Sequence, residues 1–138
     1  MRAARVTLAL AVCAALSAGC ATSSGFDRSL VVTATAYNSV RSQTGPSPTL
    51  AAWGDRLAPG MRAIAVSRDL EALGLTRGAR VRIEGFRGEY TVLDRMAKRW
   101  KRRIDIYMGV DVEAARRFGR RELRIHWAPP KPQRAGWF

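Results

Sequence analysis

The sequence predicts a mainly β fold, a single closed barrel of six short strands with two short helices. Six segments rich in β-branched and aromatic residues are separated by turns marked by glycine, as in all-β domains. These strands do not alternate regularly with helices, which argues against a parallel, doubly wound sheet. Closing the sheet into a barrel also removes the exposed edges that such short strands would otherwise present.

Residues 1–19 are predicted to be a secretory signal of the lipoprotein type. Arg2 and Arg5 precede an apolar run that is shorter than the ~20 residues of a membrane span. The letters LSAGC, which end at Cys20, resemble the lipobox of bacterial lipoproteins and imply that Cys20 carries lipid. Because no Asp follows it, the resemblance also implies an outer-membrane lipoprotein that faces the periplasm. Ordinary signal cleavage just after Ala21 is the alternative.

The charge of the chain indicates an anionic partner. Of 138 residues, removal of the first nineteen leaves 119, enough for one core, and the net charge falls from +13 to +11 with the loss of two arginines. Such an excess of Lys and Arg normally points to nucleic acid, but a secretory signal argues against that partner. Outside the cytoplasm the available polyanions are lipid headgroups, lipopolysaccharide and the carboxylates of peptidoglycan.

The cysteine and histidine content excludes several kinds of site. Cys13 leaves with the signal and Cys20 would carry lipid, so no disulfide is expected in the mature chain. His126 is the only histidine, which leaves no Cys/His metal cluster and little support for a Ser–His or Cys–His nucleophile. We therefore expect neither a metal nor another cofactor.

The barrel domain is predicted to span residues 30–127, between a polar tether at residues 20–29 and a Pro-rich tail at residues 128–138. Alternation and β-branched content predict six strands, at residues 30–37, 62–66, 79–84, 89–93, 104–107 and 122–127. The glycine-rich turn between the third and fourth strands predicts a hairpin.

Two short helices are predicted from their caps. Ser67 is the expected N-cap of a helix at residues 68–73, which ends at a glycine. Asp111 is the expected N-cap of a second helix at residues 112–118, with Gly119 as its stop, so Asp111 is interpreted as structural.

A long irregular segment at residues 38–59 is a candidate functional loop. It contains three prolines, and a loop near twenty residues in a compact domain is uncommon and often functional. Trp53 within it is either a platform that stacks on a sugar or an anchor that pins the loop to the core.

Two carboxylates bracket the most distinctive stretch, LDRMAKRWKRRIDIYMG at residues 93–109. Strand alternation predicts that Asp105 faces away from its immediate neighbours and that Asp94 shares a face with Val92. A carboxyl group that faces a cleft with apolar walls is a candidate acid, because burial raises its pKa. The structural interpretation is that one Asp forms a turn and the other pairs with a nearby arginine, such as Arg103.

The order of these segments resembles the three-aspartate (3D) domain. The matching segments are Thr35-Ala36-Tyr37, the turn Ala51-Ala52-Trp53-Gly54, Ile64-Ala65-Val66, Leu73-Gly74, Gly78 to Ile83, and Arg103-Ile104-Asp105-Ile106-Tyr107. The family's paired aspartates, eleven residues apart, fall on Asp94 and Asp105, whereas Ser67 stands where the family has its other Asp. The sequence also has Arg95-Met96 in place of Thr-Gly. The resemblance implies a double-psi β-barrel related to the C-terminal domain of membrane-bound lytic transglycosylase A.

The resemblance further implies a lytic transglycosylase-like enzyme of cell-wall turnover. Such an enzyme cleaves the bond between MurNAc and GlcNAc and leaves a 1,6-anhydro sugar. By resemblance Asp105 is the acid/base and Asp94 is its catalytic partner. An ionised Asp94 would raise the pKa of Asp105, whereas Arg103 would lower this pKa unless the Arg103 side chain points away. The implied contacts with the substrate are Tyr37, Trp53, Trp100, Lys101 and Arg103.

Two other functions remain open. A non-catalytic barrel lipoprotein could bind peptidoglycan through its basic surface, and a nucleic-acid binder is supported by charge alone. The basic loop at residues 98–102 is either a solvated surface or a site for the carboxylates of a glycan strand.

Overall fold

The computed structural model describes residues 25–39 and 49–129 and shows a closed six-stranded barrel with two short helices, as predicted. The strands are β1 (Arg28–Tyr37), β2 (Ala63–Val66), β3 (Arg80–Ile83), β4 (Tyr90–Arg95), β5 (Arg103–Tyr107) and β6 (Arg121–Trp127). The helices are α1 (Arg68–Glu71) and α2 (Val112–Phe118). In this part of the chain, no helix has the length and apolar character needed to cross a bilayer. The predicted signal with Cys20, part of the long loop and most of the tail lie outside the described residues.

The barrel is mixed, with the strand order β1-β5-β2-β4-β3-β6. Strands β1 and β5 run parallel, as do β2 and β4, while the other neighbouring pairs are antiparallel. The predicted hairpin is present, because β3 pairs with β4 directly across the intervening turn. Parallel neighbours that are distant in sequence place residues from both halves of the chain side by side.

The barrel interior is filled by alternate residues of every strand. In β3, for example, the buried Val81 and Ile83 alternate with the exposed Arg80 and Arg82, as expected for a strand with one solvated face. The fully buried side chains at the centre are mostly aliphatic: Val32, Ile64, Val66, Leu70, Leu75, Val81, Val92, Ile104, Ile106 and Ile125. The opposite faces of β2, β4 and β5 are therefore free to carry polar groups.

The two predicted helix caps have different outcomes. Asp111 accepts a hydrogen bond from Ala114 N at 2.8 Å, and Gly119 ends α2 with φ of +64°, as predicted. Ser67 precedes α1, but its side chain does not cap the helix. Instead, the buried Ser67 Oγ accepts a hydrogen bond from Arg103 N at 3.0 Å. Ser67 thus occupies the predicted N-cap position, but its side chain bonds a distant strand in place of the helix.

Candidate functional site

Four residues form a row across the outer face of four adjacent strands. Asp94 of β4 is the pairing partner of Ala65 of β2, Ala65 is the partner of Asp105 of β5, and Asp105 is the partner of Thr35 of β1. Residues directly opposite each other in a sheet share a face, and neighbouring strands lie about 4.8 Å apart. The two carboxylate-bearing strands are thus separated by two such spacings, with only the methyl group of Ala65 between them.

A β-bulge places Asp94 in this row. Ile64 pairs with Val92, but the next residue, Ala65, pairs with Asp94, so Leu93 is left over in the register. Val92 therefore points into the core, where it is fully buried, while Asp94 points to the outer face. The expectation that Asp94 and Val92 share a face was wrong, because regular alternation fails at the extra residue.

The row opens into a surface cavity of about 270 Å³. Its lining consists of Tyr37, Ala65, Asp94, Arg95, Met96, Ala97, Trp100 and Asp105. Four of the predicted site residues, the two aspartates with Tyr37 and Trp100, thus meet at one place. In the described part of the chain no group of carboxylates, Cys or His is arranged to hold a metal ion.

Asp94 is surrounded by hydrogen-bond donors. Its Oδ1 accepts from Ala52 N at 2.7 Å and from Arg95 N at 2.8 Å, and its Oδ2 accepts from the Tyr37 hydroxyl at 3.4 Å. The turn from Ala51 to Gly54 delivers the Ala52 N–H group, closed by a hydrogen bond from Gly54 N to Ala51 O. Because an ionised carboxylate only accepts hydrogen bonds, this set of donors suits a negatively charged Asp94.

Asp105 has a different environment. It is half-buried, and its Oδ1 accepts a hydrogen bond from the Thr35 hydroxyl. Burial is the largest influence and raises the pKa of Asp105, and the negative charge of Asp94 raises it further. The Thr35 hydrogen bond and the charge of Arg103 act in the opposite direction without cancelling the rise. Asp105 therefore keeps its proton to a higher pH than an exposed aspartate does.

Arg103 lies on the same face as Asp105. Ile104 and Ile106, the immediate neighbours of Asp105, are buried in the core. Arg103 is two residues from Asp105, so strand alternation places both side chains on the outer face. The Arg103 guanidinium accordingly approaches Thr35 Oγ1, from Nη2 at 3.2 Å and from Nε at 3.4 Å. Arg103 does not point away, so it lowers the pKa of Asp105, though by less than burial raises it.

Three predicted contact residues lie outside the cavity lining, namely Arg103, described above, Trp53 and Lys101. Trp53 packs against the core, and the guanidinium of Arg95 lies 5.1 Å from the centre of its ring. This placement supports the interpretation of Trp53 as an anchor for its loop. Lys101 is exposed and lies near Asp69, whose Oδ2 accepts a hydrogen bond from Arg102 N at 2.9 Å. Neither Trp53 nor Lys101 is part of the cavity lining.

Besides Arg95, Met96 and Ala97 of the lining, sequence reasoning missed three residues of the site. Thr35 and Ala65 became neighbours of the aspartates through strand pairing, which no local pattern encodes. Ala52 contributes only its backbone N–H group, which has no sequence signature. The one available signal was the occurrence of all three in the segments that resemble the 3D domain.

The comparisons with known proteins bear on the fold alone. The chain matches no protein-family profile and no curated protein. Among solved structures it is similar to apo expansin from Clavibacter michiganensis, with a TM-score of 0.50 and 18% sequence identity over 75% of this chain. The aligned part covers 52% of the expansin structure, so the chain spans about half its length. The likeness agrees with a barrel of the double-psi type.

Proposed function

We propose that the chain is a 3D-domain protein of the periplasm that cleaves peptidoglycan glycan strands as a lytic transglycosylase-like enzyme. The observation that carries this proposal is the pair of unlike carboxyl groups that flank Ala65 in one open cavity. Asp105 is half-buried with a raised pKa, whereas Asp94 accepts three hydrogen bonds. Pairs of carboxyl groups whose environments differ in this way are typical of acid/base sites on sugars.

In the proposed reaction Asp105 transfers a proton twice. It first donates its proton to the oxygen between MurNAc and GlcNAc, and the bond from MurNAc C1 to that oxygen breaks. The MurNAc C6 hydroxyl oxygen then bonds to C1 and returns its proton to Asp105, so the site is regenerated and no water is consumed. Asp94, ionised nearby, stabilises the positive charge that develops at C1. One acid is enough, unlike in glycosidases that activate water with a second carboxylate.

The walls and rim of the cavity fit a sugar chain that carries carboxylates. Tyr37 and Trp100 provide aromatic surface next to the aspartates. The adjoining loop carries the exposed cations Lys98, Arg99 and Lys101, and none of them forms an ion pair with a carboxylate of the described residues. Unpaired cations beside an anionic polymer attract it over a distance set by the salt concentration.

A non-catalytic peptidoglycan-binding barrel is the alternative, and one observation favours it. The Asp that the 3D domain has at position 67 is replaced by Ser67, which is fully buried and holds the backbone of Arg103. Arg103 in turn places a positive charge near Asp105. A cation there favours the ionised form of Asp105. An ionised carboxylate can accept hydrogen bonds from a bound sugar, but it cannot donate a proton.

Incubation of the purified protein with isolated sacculi tests the proposal. Mass spectrometry should detect anhydromuropeptides with the wild-type chain, and Asp105→Asn should reduce them by about 100-fold or more, the usual contribution of a general acid. Asp111→Asn is the matched control, because it makes the same chemical change at a helix cap where Asn also serves. Co-sedimentation with sacculi without anhydro product would instead support the binding protein.

A further inference from the structure

The contacts of the Thr35 hydroxyl determine where its proton lies. The oxygen faces three groups, which are Nη2 and Nε of Arg103, at 3.2 and 3.4 Å, and Oδ1 of Asp105. A threonine hydroxyl has one proton to donate and two lone pairs to accept with, whereas a guanidinium can only donate. Both lone pairs are therefore used by Arg103, and the single proton is left for Asp105.

This assignment has a consequence for Asp105. Because Thr35 donates to Oδ1 and has no free lone pair, Oδ1 cannot carry a proton that points towards Thr35. In a protonated carboxyl group the carbonyl oxygen is the stronger acceptor, so the oxygen that accepts from Thr35 is the carbonyl oxygen and the proton is held by Oδ2. The other titratable or charged groups that line the cavity with Asp105 are Asp94 and Arg95 on β4 and Tyr37 on β1.

We propose that Arg103 is a positioning residue that orients the Thr35 hydroxyl and thereby confines the transferable proton of Asp105 to Oδ2. The inference rests on the proposed function, in which that proton is delivered to the glycosidic oxygen. Fixing the proton on one oxygen removes a rotation that would otherwise have to occur before each transfer.

Trp100 holds the guanidinium in this orientation. The centre of the Trp100 ring lies 3.9 Å from Cζ of Arg103, a distance typical of a stacked cation–π pair. The backbone of Arg103 is also fixed, by its hydrogen bond to the buried Ser67 Oγ at 3.0 Å. Both ends of the Arg103 side chain are thus restrained. Trp100 therefore holds Arg103 in place, in addition to its proposed contact with a sugar.

The test is an NMR titration of the Asp105 carboxyl carbon in ¹³C-aspartate-labelled protein, which needs no substrate. Thr35→Val should move the titration to higher pH, because the donor to Oδ1 is lost, while Thr35→Ser should leave it unchanged. Arg103→Lys should also move it upward although the charge is kept, because one ammonium group cannot occupy both lone pairs in the fork geometry of a guanidinium. Arg99→Gln is the titration control, since its guanidinium also lies near Trp100, at 5.0 Å, without contacting Thr35.

The outcomes separate this inference from the proposed function. An Arg103→Lys titration equal to that of the wild type would overturn the positioning role, because charge alone would then explain Arg103. An Asp105 titration that shifts equally in Arg103→Lys and in Arg99→Gln would overturn the positioning role as well. If the titrations shift as expected but sacculi give no anhydro product, the orientation of the hydroxyl stands and the catalytic proposal fails. If an Arg103 variant fails to fold, Thr35→Val remains as a test of nearly the same side-chain volume: a titration equal to that of the wild type would overturn the inference, because the hydroxyl would then not donate to Asp105.

Discussion

Ala65 lies directly opposite Asp105 in the pairing of β2 with β5, and its other pairing partner is Asp94. Its side chain is 5% exposed and is the only one between the two carboxyl groups in the row. A larger residue here would push the carboxyl groups apart or cover them. The size of this one residue thus controls whether both carboxyl groups can reach the same ligand.

We expect Ala65→Val to keep the barrel but lose the site. Valine suits a strand, so the free energy of unfolding should fall by only about 1–3 kcal/mol, as for other overpacked positions. Release of anhydromuropeptides should fall about 100-fold, because the added methyl groups displace the acid from its substrate. Thermal unfolding and digestion of sacculi measure the two effects, with Ala65→Ser as the small control. Full activity of Ala65→Val would show that the space above Ala65 is not used.

Stability should respond to the charge of Asp105. Its pKa is raised in the folded state, so the folded protein binds more protons than the unfolded chain between the usual aspartate pKa and the raised one. The free energy of unfolding therefore decreases as pH rises through that window, and this contribution then stays constant. Asp105→Asn, whose amide oxygen can still accept from Thr35, should remove the decrease and be more stable than the wild type at neutral pH. Urea unfolding of both proteins across acidic and neutral pH would contradict this if the two curves run parallel.

The basic loop should govern attachment to sacculi. Replacement of Lys98, Arg99 and Lys101 by Gln should weaken co-sedimentation and flatten its dependence on salt, because these cations supply the attraction. A matched variant changes the exposed arginines of α2 and the turn after it, Arg116, Arg117 and Arg120, to Gln. Both variants lose three positive charges, so equal weakening would mean that overall charge, and not this loop, binds the cell wall.

Cys20 should anchor the protein to the membrane. The lipobox resemblance predicts that the wild-type chain incorporates labelled palmitate in cells and fractionates with the outer membrane. Cys20→Ser should abolish labelling and release the protein in soluble form, because the acylated thiol is the attachment point. Soluble wild-type protein that begins after Ala21 would show ordinary signal cleavage instead.

Local patterns predicted most of the elements correctly. Strand alternation, the hairpin turn and the cap at Asp111 depend on residues close in sequence, so they could be recognised without the fold. What failed were the side-chain directions of Ser67, which is the predicted N-cap residue, and of Asp94, because both depend on partner strands. The Ser67 side chain points towards β5. A β-bulge in the pairing of β4 with β2 turns the Asp94 side chain to the outer face. Site geometry of this kind is set by register, which the sequence does not display.

The strand order has a consequence for how the chain acquires its shape. Every strand pairing in the described barrel joins one of the first three strands to one of the last three, and none joins two strands of the same half. Strands β1 to β3 have no pairing partners until β4 to β6 are available. Formation of the barrel therefore depends on contacts between segments distant in sequence and should be slow. Separately produced halves, cut at the turn between β3 and β4, should each remain unstructured and yet reassemble when mixed.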